Sequence, residues 1–194
     1  MSSYVTLAQF KDYARNEITA SDDTVLQLAL DSAEMLINNF CGRTFYVAGA
    51  ASARSYSPAT RGAKVLPIHD CTSVTSIVEM NLTLDTSTYQ LEPLNGITPA
   101  GDSRPYDRIR RYGSVWFWDD SKARIVVTAT WGWASTPYRV QEATYIVAKD
   151  IYQQRNTNAG VAGFGEFGAV RVRMNPIAID LLTPLRRAEA IGIA

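Results

Sequence analysis

The spacing of apolar and polar positions changes period twice along the chain. Around Thr6 it is helical. Thr6 and Gln9 have capping-box spacing, and Val5 and Phe10 are placed to close over that box as a hydrophobic staple. A first helix is predicted from there to about Arg15 or Asn16. A second is predicted after Ser21, where Asp22 and Asp23 suit the positive end of a helix dipole. Its polar stripe is narrow, consisting of Gln27, Asp31, Glu34 and Asn38. Most other positions from Val25 to Phe40 are apolar, so this helix is expected to be buried on most sides. Gly42 is its natural stop.

From Thr44 to about Ser135 a period of two takes over. Val74 to Met80 is rich in β-branched residues and reads as a strand, and Tyr89 to Glu92 reads as a short one. Lys122 to Trp131 is the clearest. Ala123, Ile125, Val127, Ala129 and Trp131 alternate with Arg124, Val126, Thr128 and Thr130. Asn95-Gly96 and Pro99-Ala100-Gly101-Asp102 separate these runs as turns. Thr136-Pro137 then opens a third helix, with threonine as cap and proline at the first helical position. Val140, Ala143, Val147 and Ile151 form its apolar face, opposite Arg139, Glu142, Lys149 and Gln153, and the pattern fades after Arg155. Asn175-Pro176 repeats the start signal. Pro184 lacks an N–H and crowds the preceding turn, so a short helix to about Leu182 is expected, then a kink or a new turn at Thr183-Pro184.

The predicted architecture is α+β. A small helical bundle forms from residues 1–43 and 136–157, a large antiparallel β insertion covers 44–135, and 158–194 is a tethered C-terminal helical arm. The tether is glycine-rich, with Gly160, Gly163, Gly165 and Gly168, and it leads to an apolar, arginine-tipped segment and the end Ile191-Gly192-Ile193-Ala194. Flexible tethers cost little entropy to lengthen, and a short apolar segment must bury itself against something. The segment therefore reads as a docking arm, whose seat is either its own body or a partner.

Composition narrows the classes. With 194 residues, 46% hydrophobic and 20% charged, the chain is an ordinary globular domain. A net charge of +0 gives no overall field toward nucleic acid. Lys11, Lys64, Lys122 and Lys149 are its only lysines, and arginine, which makes planar bidentate contacts, supplies the other cations. Cys41 and Cys71 are too few for a disulfide framework or a zinc site. No signal peptide and no membrane-spanning run is visible, which points to a soluble protein made in a reducing cytoplasm.

Candidate chemistry is sparse. Gly163 to Gly168 spells the dinucleotide-binding pattern G-x-G-x-x-G, but it follows a helix and carries phenylalanines where a phosphate needs space, so it reads as linker. His69, the only histidine, and Cys71 would share one face of a strand, which leaves a Cys–His enzyme conceivable. The plainer reading of His69-Asp70-Cys71 is a β-edge turn beside Pro67. Asp22-Asp23 and Asp119-Asp120 read as a helix start and a turn. No catalytic, cofactor or metal site is predicted. Arg108, Arg110, Arg111, Tyr112, Trp116 and Trp118 interleave arginine with aromatics. That mixture fits a β-hairpin with an aromatic core face, a protein interface, or a single-strand platform.

Three stretches carry a family likeness. They are Tyr4 to Tyr13 with Asp22 to Leu26 and Ile37 to Arg43, then Thr130-Trp131-Gly132-Trp133-Ala134-Ser135-Thr136-Pro137, then Asp180-Leu181-Leu182-Thr183-Pro184-Leu185-Arg186-Arg187. In this order the chain resembles the head-to-tail adaptor (connector) proteins of long-tailed bacteriophages. The resemblance implies a structural virion protein of the neck and not an enzyme. Such adaptors form a homo-oligomeric ring, usually a dodecamer, beneath the portal protein. The ring extends the channel for double-stranded DNA, which passes without specific binding, and it offers a platform to the next neck protein, a stopper or tail-completion protein. In relatives the C-terminal segment inserts into the portal. That would put Asn175, Pro176, Ile177, Ile179, Leu181, Leu182, Leu185, Arg186 and Arg187 at the portal contact. The alternatives are a tail-completion or other neck protein of the same virus, and a small enzyme using His69 and Cys71. No membrane partner and no cofactor is expected. The β insertion is a departure from the smallest adaptors.

Overall fold

The computed structural model describes residues 3–14, 23–97, 101, 103–119, 125–154 and 175–187. The glycine pattern at 163–168 and the pairing partners Asp22 and Asp120 lie outside them. The chain divides into two compact units. One comprises Met1–Thr44 and Thr136–Arg186, the other Phe45–Ser135 and Arg187–Ala194.

The first unit is helical. Helix α1 spans Leu7–Tyr13, and both halves of its capping box form: Thr6 Oγ1 accepts from the Gln9 N–H, and the Gln9 side chain accepts from the Thr6 N–H. Val5 and Phe10 are buried beside it, as a staple requires. Helix α2 spans Asp23–Cys41. Gly42, at φ +63°, closes it with an N–H to the Asn38 carbonyl at 2.9 Å. Two expectations for α2 fail. Glu34 is buried rather than part of a solvated stripe, because the chain before α1 lies on it: the Tyr4 N–H donates to its carboxylate at 2.7 Å, and so does the Ser3 hydroxyl. Tyr4 also donates to Asn38 at 2.6 Å, so the polar stripe seats the N-terminal segment. Conversely Leu28, Met35 and Leu36 are exposed, while the face of α2 that carries Leu26, Ala29, Leu30, Ala33 and Ile37 is the buried one.

Helix α3 spans Tyr138–Gln154 and packs on α2. Val140, Ala143 and Val147 are buried as the period demands. The carbonyl of Pro137 accepts from the Val140 and Gln141 N–H groups, so Pro137 is the residue before the helix, one position later than the Thr136 cap expected. Helix α4, Pro176–Leu182, packs on α3 and runs into a single 3-10 turn, Thr183–Leu185. No helix among the described residues is long and apolar enough to cross a membrane.

Among the described residues the second unit holds six antiparallel strands: β1 Ser52–Tyr56, β2 Val65–Glu79, β3 Leu82–Thr83, β4 Tyr89–Glu92, β5 Tyr106–Arg111 and β6 Ile125–Trp131. The order is β1-β6-β2-β5-β4, with β3 on β2. Strand β2 organises this unit. Its first part, Val65 to Cys71, pairs with β5, and the stretch from Cys71 to Glu79 pairs with β6. Both halves enclose one core that includes Leu66, Ile68, Ile77, Ile109, Trp116 and Val127. Burial along β6 alternates strictly, so Ile125, Val127, Ala129 and Trp131 face that core as the sequence pattern predicts. The turn expected at His69-Asp70-Cys71 is instead the middle of β2. Register shifts between Pro67 and Cys71, and again before Ser73, let the strand bend there, where Pro67 cannot serve an ordinary ladder.

Candidate docking site

The C-terminal segment forms from strong local signals. The Asn175 side chain accepts from the Ile177 N–H at 3.0 Å, and Pro176 occupies the first turn. Asn175 also donates to Asp150 of α3 at 3.2 Å. The Thr183 hydroxyl donates to the Ile179 carbonyl at 2.7 Å where the helix passes into the 3-10 turn Thr183–Leu185, which contains Pro184. The segment then divides its residues. Ala178, Leu182 and Leu185 are buried in the helical unit. Pro176, Ile177, Asp180, Thr183 and Pro184 are exposed, Ile177 at 62%. Ile179 and Leu181 are half-buried.

The two arginines that end it behave differently. Arg186 is exposed; its guanidinium lies 4.9 Å from the Phe40 ring centroid, and its Nε donates to the Phe40 carbonyl at 3.2 Å. Arg187 belongs to the β unit. Its Nη1 donates to the Ile68 carbonyl at 2.7 Å and its Nη2 to Asp70 Oδ1 at 2.5 Å. The two side chains are only 8% and 6% exposed. The other Asp70 oxygen accepts from Trp133 Nε1 at 3.1 Å, and the Asp70 carbonyl accepts from the Gly132 N–H at 2.8 Å. In the sequence Asp70 stood out only as the neighbour of His69 and Cys71, and Trp133 only within the Thr130–Pro137 stretch; nothing there paired either with Arg187. The available signal was a lone acid inside a strand between the apolar residues Leu66, Ile68 and Ile77.

The arginine–aromatic stretch is not a hairpin. Tyr106–Arg111 is strand β5, and the residues after it form an irregular loop. Trp116 enters the core, while Tyr112, Val115, Phe117 and Trp118 remain exposed. Its arginines are engaged within the unit. Arg108 pairs with Asp107 at 3.0 Å, Arg110 with Glu92 at 2.6 Å, and Arg111 with Glu79 at 3.1 Å, and Arg111 also stacks over Trp116.

Cys71 is buried in the core with Tyr56, Leu66 and Ile68, and His69 Nδ1 bonds the hydroxyl of the same Tyr56 at 2.7 Å. Burial and the cations Arg54 and Arg187 push the His69 pKa down to about 4, so the ring is neutral near pH 7. Burial raises the Cys71 thiol to about 12, reinforced by Asp70 and Asp107; burial raises Cys41 to about 12 as well. A nucleophilic cysteine needs the opposite shift. Labelling of the native protein by a thiol reagent near neutral pH is expected to stay at background until denaturant is added. Fast native labelling of Cys71 would contradict this.

No protein-family model matches the sequence, and no curated protein does. Solved structures do share the fold. A chain in the neck of an empty gene transfer agent particle, computed with C6 symmetry, superposes with a TM-score of 0.59 at 16% identity, over 97% of this chain and 92% of that one. A chain in the virion of a native gene transfer agent particle gives 0.57 at 18% identity, over 97% and 92%. A chain in the neck of a native particle, computed with C12 symmetry, gives 0.52 at 15% identity, over 96% and 90%. The α+β fold with its β insertion is therefore one that occurs in virion necks, across nearly the full length of both chains.

Proposed function

We propose that this protein is a structural component of the neck of a phage-like particle. The observation that carries the reading is a fold match to neck chains spanning both units, not one shared motif. The finer assignment is the head-to-tail adaptor. Twelve copies form a ring beneath the portal protein, in keeping with the C12 symmetry used for one of those necks. The ring extends the DNA channel and presents a platform to the stopper or tail-completion protein. Net charge of +0 lets double-stranded DNA pass without being held. Two free, buried cysteines suit synthesis in the host cytoplasm.

The C-terminal segment, Asn175 to Arg187, docks on the portal. In the seated conformation its outer face, with Pro176, Ile177 and Pro184, is the part offered. Leu182 and Leu185 hold that face in place from beneath. Many weak arms on one ring gain avidity from effective concentration. The mechanism is mechanical and needs no catalytic residue.

The test is reconstitution. Full-length protein is mixed with the purified portal ring of the same particle, and the complex is imaged. A ring stacked coaxially on the portal is the expected result. Binding to tail-tube protein with none to portal would replace this assignment by that of a tail-completion protein.

A further inference from the structure

We infer that Asp70 and Arg187 form a positioning anchor for the C-terminal segment, so that Arg187 serves portal docking from inside the protein and not as a contact. The inference rests on the docking reading above for its consequence, but the anchor itself is a property of the free chain. Asp70 is built to receive a guanidinium. The Trp133 indole fixes one carboxylate oxygen and leaves the other for Arg187, and the Ile68 carbonyl takes a second N–H of the same guanidinium. Two acceptors at fixed positions specify orientation as well as charge, which a single surface ion pair does not.

The pair is a poor device for stability alone. Burying both ions costs desolvation, and Arg187 Nε is itself buried without a hydrogen-bond partner. An apolar pair would fill the same space at less cost. What a buried ion pair supplies is a unique location, since any other placement leaves a charge unmet. Here the location matters. Arg187 immediately follows the segment whose outer face is offered to the portal, and its neighbour Arg186 is exposed on Phe40. Fixing residue 187 limits the conformations left to residues 183–186 and lowers the entropy cost of docking.

The experiment uses the full chain with two near-isosteric changes, Asp70→Asn and Arg187→Gln, and their combination. Asparagine at position 70 still accepts from Trp133, which protects the fold, and exchange of β6 amides in the same data reports whether the β unit is intact. Amide exchange is measured on the free protein across 183–187, where the Arg186 N–H bonds the Thr183 carbonyl. Both single variants are expected to exchange about tenfold faster there, with β6 unchanged. Binding to the purified portal ring is expected to weaken about equally in both, and the double variant to be no worse than either, the non-additivity of groups that act as one. If neither variant changes exchange at 183–187, there is no anchor. If Arg187→Gln loses portal binding while Asp70→Asn keeps it, Arg187 touches the portal and the inference falls, because Asp70 is too buried to do so. If either variant binds portal more tightly, the pair is a restraint and the inference also falls. Should wild-type protein not bind portal at all, the docking reading fails, and the exchange data still decide whether the anchor exists.

Discussion

Replacing Leu182 with alanine should destabilise the helical unit by about 2–5 kcal/mol, the usual cost of emptying a fully buried leucine site. Leu182 has no exposed surface and sits on the face of α4 that packs against α3. The lost methyl groups leave a cavity between two helices, and α4 is short, with only Ala178 and Leu182 buried and Leu185 following in the 3-10 turn. The effect should appear in urea melts followed by far-ultraviolet circular dichroism and as faster exchange of the Ile179 and Thr183 amides. A comparison at Ile177 separates seating from docking. Ile177 is 62% exposed, so Ile177→Ala should change stability by no more than about 0.5 kcal/mol. In the docking reading it should nonetheless weaken portal binding. A change below about 0.5 kcal/mol for Leu182→Ala would mean that α4 does not rest on α3 in solution.

Gly132→Ala should be at least as severe for the β unit. Gly132 has φ +125°, which L residues rarely adopt. A Cβ there would lie 2.7 Å from the Tyr46 carbonyl oxygen and 2.9 Å from both Cα and N of Ala48. These are backbone atoms held in place by reciprocal bonds, Trp133 N–H to the Tyr46 carbonyl and Ala48 N–H to the Trp133 carbonyl. Strain and displacement together should cost about 3 kcal/mol or more. The same shift would draw Trp133 from Asp70, so the substitution should also loosen Arg187. Thermal unfolding followed by tryptophan fluorescence reads the first effect, and exchange at 183–187 the second. A melting temperature equal to wild type would show that the 46–48 strip yields freely.

Much of the local structure was legible in the sequence because it rests on chemistry within a few residues. The capping box at Thr6, the Asn175-Pro176 start and the stop before Pro184 all involve partners no more than four positions apart. The alternation from Ile125 to Trp131 identified an inward face because every second side chain meets one core. Strand β1 was not visible. Ser52, Ala53, Arg54 and Ser55 are exposed and carry no apolar alternation; pairing with β6 alone makes them a strand. The front half of β2 was hidden by Pro67 and by the bend that reverses the alternation at Cys71.

The candidate site divides in the same way. Its place in the chain, its helical form and its apolar character follow from residues 175–187 alone. Which of those residues remain available to a partner does not. Sequence reasoning grouped Leu182 and Leu185 with Ile177, and Arg187 with Arg186, because each pair is alike in type. Burial in the helical unit removes the leucines from solvent, and Asp70, 117 positions away, engages Arg187. By itself the sequence determined the helix starts at Thr6 and Asn175, the stop at Gly42, the inward face of β6, the absence of net charge and the α+β class, since caps, periodicity and composition act locally or by simple sum. Only the tertiary structure decided that Glu34 is buried, that the histidine bonds Tyr56, and that one arginine of a neighbouring pair is exposed while the next is locked. Those outcomes depend on which distant groups share a volume, and burial and electrostatic pairing are set by that volume and not by position along the chain.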